Sequence, residues 1–124
     1  MQLSTIISSN AVLPNLKASS KRQLLQELAQ EGARLSGLDS QVIFETLLRR
    51  EKLGSTGLGQ GIAIPHGKFQ ALEKVHGLFA RLAGPVKFDS VDDHPVDLVF
   101  LLLAPESAGA DHLKALARIS RLLR

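Results

Sequence analysis

The segment Val96 to Leu103 is nearly continuous aliphatic sequence. A strand with no polar alternation has no face to offer water, so it belongs inside a sheet covered on both sides. Pro105 is expected to end it. This one strand implies a layered α/β domain, and the rest of the chain supplies the layers.

Ser20-Lys21-Arg22-Gln23 has capping-box spacing, with Leu24, Leu25, Leu28 and Ala29 following at helical intervals. The pattern predicts a first helix that ends at Gly32 or Gly37. Asp39 is the N-cap candidate for a second helix, with Val42, Ile43, Leu47 and Leu48 as its buried face. Arg49, Arg50 and Lys52 fall in its last turn, where the helix dipole favours cations, and Gly54 is a plausible stop. Ser55 to Gly61 reads as a glycine-rich loop, and Ile62-Ala63-Ile64 as a short strand cut by Pro65. Val75 to Leu82 is a further strand with its alternation interrupted by Gly77. Gly84-Pro85 reads as a turn and Val86-Lys87-Phe88 as a short strand. A last helix is expected from about Asp111, with Leu113, Leu116, Ala117 and Leu123 on one side. The expected fold is therefore a mixed β-sheet flanked by helices, in one domain over 1–124.

Composition removes several classes of function. The chain has no cysteine, which excludes disulfides, thiolate metal sites and cysteine nucleophiles. The longest apolar run, Leu98 to Ala104, is far short of the roughly 20 residues that span a bilayer. Met1-Gln2-Leu3-Ser4 has no basic start and no signal core. A cytoplasmic protein without membrane insertion is expected. The net charge is +3, but aromatics are five Phe with no Tyr or Trp. Single-strand readers need stacking platforms, so nucleic acid is not an expected partner; an acidic protein surface suits the charge better.

Gly57-Leu58-Gly59-Gln60-Gly61-Ile62-Ala63-Ile64-Pro65-His66-Gly67-Lys68 is the most unusual segment. A buried strand stops at a proline and a histidine follows at once. Pro65 fixes its own φ and ends ladder pairing, so His66 is presented at a strand end with a defined direction. Gly67 lets the backbone turn or come close to a ligand. No P-loop is present, and the dinucleotide fingerprint fails because Ile62 stands where its third glycine is required. The histidines at 66, 76, 94 and 112 form no paired metal-ligand spacing. No serine elbow accompanies His66. Neither a cofactor nor a metal is expected.

Histidine as nucleophile remains. A neutral imidazole can attack phosphorus and hold the group as a phosphoramidate. Such a site needs positive or N–H-donating neighbours. The candidates are Arg50, His112 at the start of the last helix, and the amides of the glycine-rich loop. Read on their own, Arg50 is better explained as a solvated helix end and His112 as a surface residue.

Arg50-Glu51-Lys52-Leu53-Gly54-Ser55-Thr56-Gly57 followed by Gly61-Ile62-Ala63-Ile64-Pro65-His66-Gly67-Lys68 resembles the mannitol/fructose-type IIA domains of the phosphoenolpyruvate-dependent phosphotransferase system. Within that family it is most similar to the nitrogen-regulatory branch. The likeness takes in Leu3-Ser4, Ile6-Ile7, Ser20-Lys21, Pro95-Val96-Asp97-Leu98 and His112-Leu113. The resemblance implies phosphorylation of His66 by an HPr-like histidine phosphocarrier, with His112 and Arg50 completing the site. It implies regulated target proteins, transporters or sensor kinases, as further partners. Two alternatives are a metabolic component that passes phosphate to a sugar-permease IIB domain, and a non-catalytic interaction module. Members of the family continue past the position of Arg124, typically into another helix. On that comparison the chain is expected to be C-terminally short, and the apolar surface so exposed would favour a homodimer.

Overall fold

A computed structural model describes residues 12–108 together with Arg118, Arg121 and Leu122. Two helices precede most of a six-stranded sheet. In chain order the elements are β1 (Val12–Leu16), α1 (Lys21–Ser36), α2 (Ser40–Lys52), β2 (Gly57–Gly59), β3 (Ile62–Ala63), β4 (His66–Phe69), β5 (His76–Val86) and β6 (Val96–Pro105). The sheet order is β1-β5-β6-β3-β2, with β4 also on β6. β1 and β5 run parallel, as do β3 and β4 with β6, while β5–β6 and β2–β3 are antiparallel. The sheet is thus mixed, as the sequence implied.

The caps explain where the helices begin. Ser20 is extended, and its hydroxyl accepts from the Gln23 N–H at 3.1 Å. The Gln23 side chain reaches back one residue further than expected, accepting from both the backbone N–H and the hydroxyl of Ser19. Asp39 caps α2 through the Gln41 N–H. Gly37, with φ +81, ends α1, and its N–H is donated to Ala33 O. Gly32 does not stop the helix. It lies buried within it, where an added Cβ would stand 3.1 Å from Leu103 and 3.3 Å from Leu101. The small residue lets α1 settle on β6.

β6 is the centre of the domain. Val99, Leu101 and Leu103 join Leu24, Leu25, Leu28, Ile43 and Leu47 in the core beneath the helices. Phe100, Leu102 and Ala104 alternate with them and are equally buried. The aliphatic run therefore does have two covered faces. Each fully buried Leu or Phe contributes about 1.5–3 kcal/mol relative to exposure.

Four expectations change. Val42 is exposed at 47%, and Phe44 takes the buried position in its place. Gly84-Pro85 is not a turn: β5 runs through it to Val86, with a register irregularity between Arg81 and Val86. Lys87 and Phe88 fall outside any strand, although Phe88 is fully buried. Finally, the glycine-rich loop is a hairpin. β2 and β3 are joined by Gln60 (φ +58) and Gly61 (φ +80), the double left-handed pair that suits the twist of a two-residue hairpin. Of the expected last helix, Arg118, Arg121 and Leu122 are helical; its other residues lie outside those described. Among the described residues no helix is long and apolar enough to cross a membrane.

Candidate active site

His66 begins β4, directly after Pro65. β3 pairs with Leu98 and Val99 of β6, and β4 pairs with Leu102 onward. Pro65 has no N–H to give, but its carbonyl still accepts from Leu102 N–H at 3.0 Å. The sequence reading has His66 at the end of a strand. In the structure it stands at a break between two short strands on one neighbour, which fixes the backbone on both sides of it.

The ring is held as well. His66 Nδ1 lies 2.9 Å from Ile64 O. A carbonyl only accepts, so Nδ1 carries the proton and, in the neutral ring, Nε2 carries the lone pair. Burial pushes the imidazole below its ordinary pKa of 6.5. The Ile64 carbonyl opposes that, the Arg50 guanidinium adds to it, and Glu51 opposes it weakly. The balance leaves a neutral imidazole at neutral pH. A pH titration of the His66 ring by NMR is expected to give a midpoint below 6.5; one at or above 6.5 would contradict the site geometry. The sign carries into stability. Below pH 6.5 the unfolded chain binds a proton that the native ring refuses. The protein therefore loses stability as pH falls from 6.5 through the folded pKa, and gains nothing further above 6.5.

His66 lines a cleft of about 290 Å³ with Thr46, Arg49, Arg50, Leu53, Gly67 and Lys68. The structure thus brings Arg50 and His66 together. Arg50 also donates through Nη1 to Gly54 O at 2.9 Å, which ties it to the turn after α2. His112 lies outside the described residues. The Gln60 amide at the turn of the glycine-rich loop does not serve this cleft. Gln60 N–H is donated to the Asp92 carboxylate at 2.9 Å, and that carboxyl is held below its usual range by the Gln60 and His94 amides. The hairpin turn also precedes Leu98's partner Ile62, while His66 pairs with Leu102. Four residues of strand separate them, about 13 Å.

Gly67 has a different purpose from the one expected. Its φ is not left-handed, and it lies in β4 against α2. A Cβ there would stand 2.8 Å from Thr46 Cγ2 and 3.2 Å from the Phe69 ring. The missing side chain lets α2 bring Arg50 up to β4. Gly67→Ala is expected to cost about 1–3 kcal/mol through overpacking. The check is a denaturant midpoint lowered at unchanged slope.

Sequence reasoning passed over Glu51 and Thr56. Glu51 is 8% exposed and accepts from Thr56 N–H at 3.0 Å and from the Thr56 hydroxyl. Lys21 Nζ pairs with the same carboxylate at 3.1 Å and sits over the Phe88 ring. Both residues stand inside the Arg50–Gly57 block, but nothing in their spacing says that they face each other.

The fold thus sets a sheet-borne histidine, its Nδ1 bonded to a backbone carbonyl, in one cleft with the Arg50 guanidinium. The chain belongs to the family described as phosphoenolpyruvate-dependent sugar phosphotransferase system, EIIA 2, whose model matches residues 5–124. It is 61% identical over 124 residues to the nitrogen regulatory protein of Bradyrhizobium diazoefficiens, covering 100% of this chain and 81% of that one. The crystal structure of the nitrogen regulatory protein IIA-Ntr from Neisseria meningitidis superposes with a TM-score of 0.88 at 42% identity, covering 92% of this chain and 78% of that one. The IIA mannitol protein of Escherichia coli shares the fold, with a TM-score of 0.71 at 22% identity over 90% of this chain and 81% of that one.

Proposed function

We propose that this protein is a histidine phosphocarrier of the nitrogen-regulatory type, taking a phosphoryl group on His66 from an HPr-like carrier in the cytoplasm. The observation that carries the reading is the Nδ1–H bond to Ile64 O beside Arg50. Family membership supplies the phosphoryl chemistry. Nε2 attacks phosphorus as the P–N bond to the donor imidazole breaks, and the electron pair of that bond returns to the donor nitrogen. The accepting ring gains positive charge, and the Ile64 carbonyl stabilises that charge by accepting from Nδ1–H. Arg50 offsets the negative charge on the phosphoryl oxygens in the transition state, while the protein's main contribution is in-line positioning. His112 is proposed as a second group steadying those oxygens.

The relatives named as nitrogen regulatory proteins support an output through binding of target proteins rather than onward sugar transport. Phosphorylation adds about −1.5 to −2 charge at one small site. The surrounding face carries Arg49, Arg50 and Lys68, while Lys52 lies on the side of α2 that meets Lys21 and Arg22. A partner with an acidic patch would therefore prefer the unmodified form.

The test is reconstitution with phosphoenolpyruvate, enzyme I and the cognate HPr-like carrier, followed by binding to one cognate target at low and high salt. Carrier-dependent labelling and a salt-sensitive preference for the unmodified form are expected. No labelling in the complete system refutes the phosphocarrier reading. Equal affinities of the two forms refute the charge switch.

A further inference from the structure

A chain of hydrogen bonds runs from the protein surface to the His66 ring. Lys21 Nζ, at the start of α1, pairs with Glu51 Oε1 at 3.1 Å. The Glu51 carboxylate, at the end of α2, accepts from Thr56 N–H at 3.0 Å and from the Thr56 hydroxyl. Thr56 O accepts from Ile64 N–H at 3.1 Å. Ile64 O accepts from His66 Nδ1 at 2.9 Å. Every link after Lys21 joins a buried or half-buried group: Glu51, Thr56 and Ile64 are 8%, 5% and 3% exposed.

We infer that Glu51 and Thr56 are positioning residues for phosphotransfer: they set the place and direction of the Ile64 carbonyl, and through it the tautomer and tilt of the His66 ring. The inference rests on the proposed role of His66 but concerns residues that do not line its cleft. The geometry has a physical reason. Ile64 precedes Pro65, whose missing N–H leaves a gap in the β-ladder at this point. The residue that aims the ring is therefore less restrained by sheet pairing than its neighbours. Its N–H goes to Thr56, which itself lies outside any strand, between Gly54 and β2. Thr56 needs an anchor, and Glu51 gives it two bonds from a rigid helix end.

A buried carboxylate must be matched by donors or a countercharge to be tolerated. Thr56 and Lys21 satisfy it. Lys21 is only 21% exposed at its side chain and is held further by the Phe88 ring, 4.5 Å from its centroid. The surface end of the chain is thus fixed by α1, the middle by α2 and the far end by β6. Outer groups that fix the tautomer and orientation of a metal-bound histidine change affinity or activity by about 10–100-fold when removed, and the same kind of restraint acts here on a ring without a metal.

The experiment compares Thr56→Val, Thr56→Ser and Lys21→Met with the unaltered protein. Thr56→Val keeps shape and backbone donor but deletes the hydroxyl. Lys21→Met keeps the stem and deletes the charge at the outer end. The first readout is the pair of His66 ring 15N shifts in the unphosphorylated protein, which reports tautomer and hydrogen bonding without any transfer chemistry. The second is the transfer rate from the phosphorylated carrier.

Thr56→Val is expected to move the ring shifts toward a mixture of tautomers and to slow transfer by about tenfold, the scale on which groups that orient a histidine act. Thr56→Ser is expected to restore both. Lys21→Met is expected to move both in the same direction by less, and it remains decisive should Thr56→Val not fold. Ring shifts unchanged in every folded variant would overturn the inference, as would slowed transfer with an unmoved ring. An unaltered protein that is not phosphorylated on His66 would sink the function reading, while the ring shifts would still report on the positioning chain.

Discussion

Replacing His66 with alanine is expected to abolish phosphoryl acceptance, lowering labelling by at least about 10⁴-fold, as loss of a nucleophile does elsewhere. The substitution should leave the fold intact. His66 is half-buried, and its Nδ1 bonds the Ile64 carbonyl. Leaving Ile64 O without that donor costs about 1–3 kcal/mol. Circular dichroism and a denaturation curve separate loss of chemistry from loss of structure. Undiminished labelling in the folded variant would remove His66 from the mechanism.

The second large effect is expected from Arg50. Arg50→Ala removes one of the cations that line the His66 cleft, and transfer is expected to slow by about 10²–10³-fold, corresponding to roughly 2.7–4 kcal/mol of transition-state stabilisation. A second readout distinguishes a local electrostatic role from general disturbance. Arg50 pushes the His66 pKa down, so its removal should raise the midpoint of the ring titration. Arg50→Lys keeps the charge but not the planar fork, and is expected to recover the titration midpoint better than the rate. A folded Arg50→Ala variant with unchanged rate and unchanged titration would rule out this assignment.

The framework was readable because its residues act locally. Ser20, Gly37 and Asp39 mark helix ends by bonds to amides and carbonyls a few positions away, and such bonds follow from spacing. The run at Val96 could only be a central strand, since no exposed position can take that many aliphatic residues. β4 was harder to see. His66-Gly67-Lys68-Phe69 has little strand character, and it is extended because β6 offers it a parallel neighbour. The Gly84-Pro85 pair shows the converse, with sheet pairing on either side overriding a local turn preference.

Within the site, Pro65 next to His66 was legible as a device for aiming a side chain. That Arg50 reaches the same cleft depends on α2 packing against Gly67, a contact between segments that spacing does not encode. The glycine-rich loop misled for a related reason. Its free amide was expected to face an external anion, but Asp92, distant in sequence, takes it. Glu51 looked like one more charge in a helix terminus. Only the fold shows that it is buried and bonded to Thr56.

The central claim is that the Nδ1–H···Ile64 bond selects the nitrogen that reacts. The most direct test is to phosphorylate 15N-labelled protein through the complete carrier relay and locate the phosphoryl group by phosphorus–nitrogen coupling on the ring. The account predicts phosphorus on Nε2 of His66, with the Nδ1 proton retained and still hydrogen-bonded. Phosphorus on Nδ1, or on any residue other than His66, would contradict it.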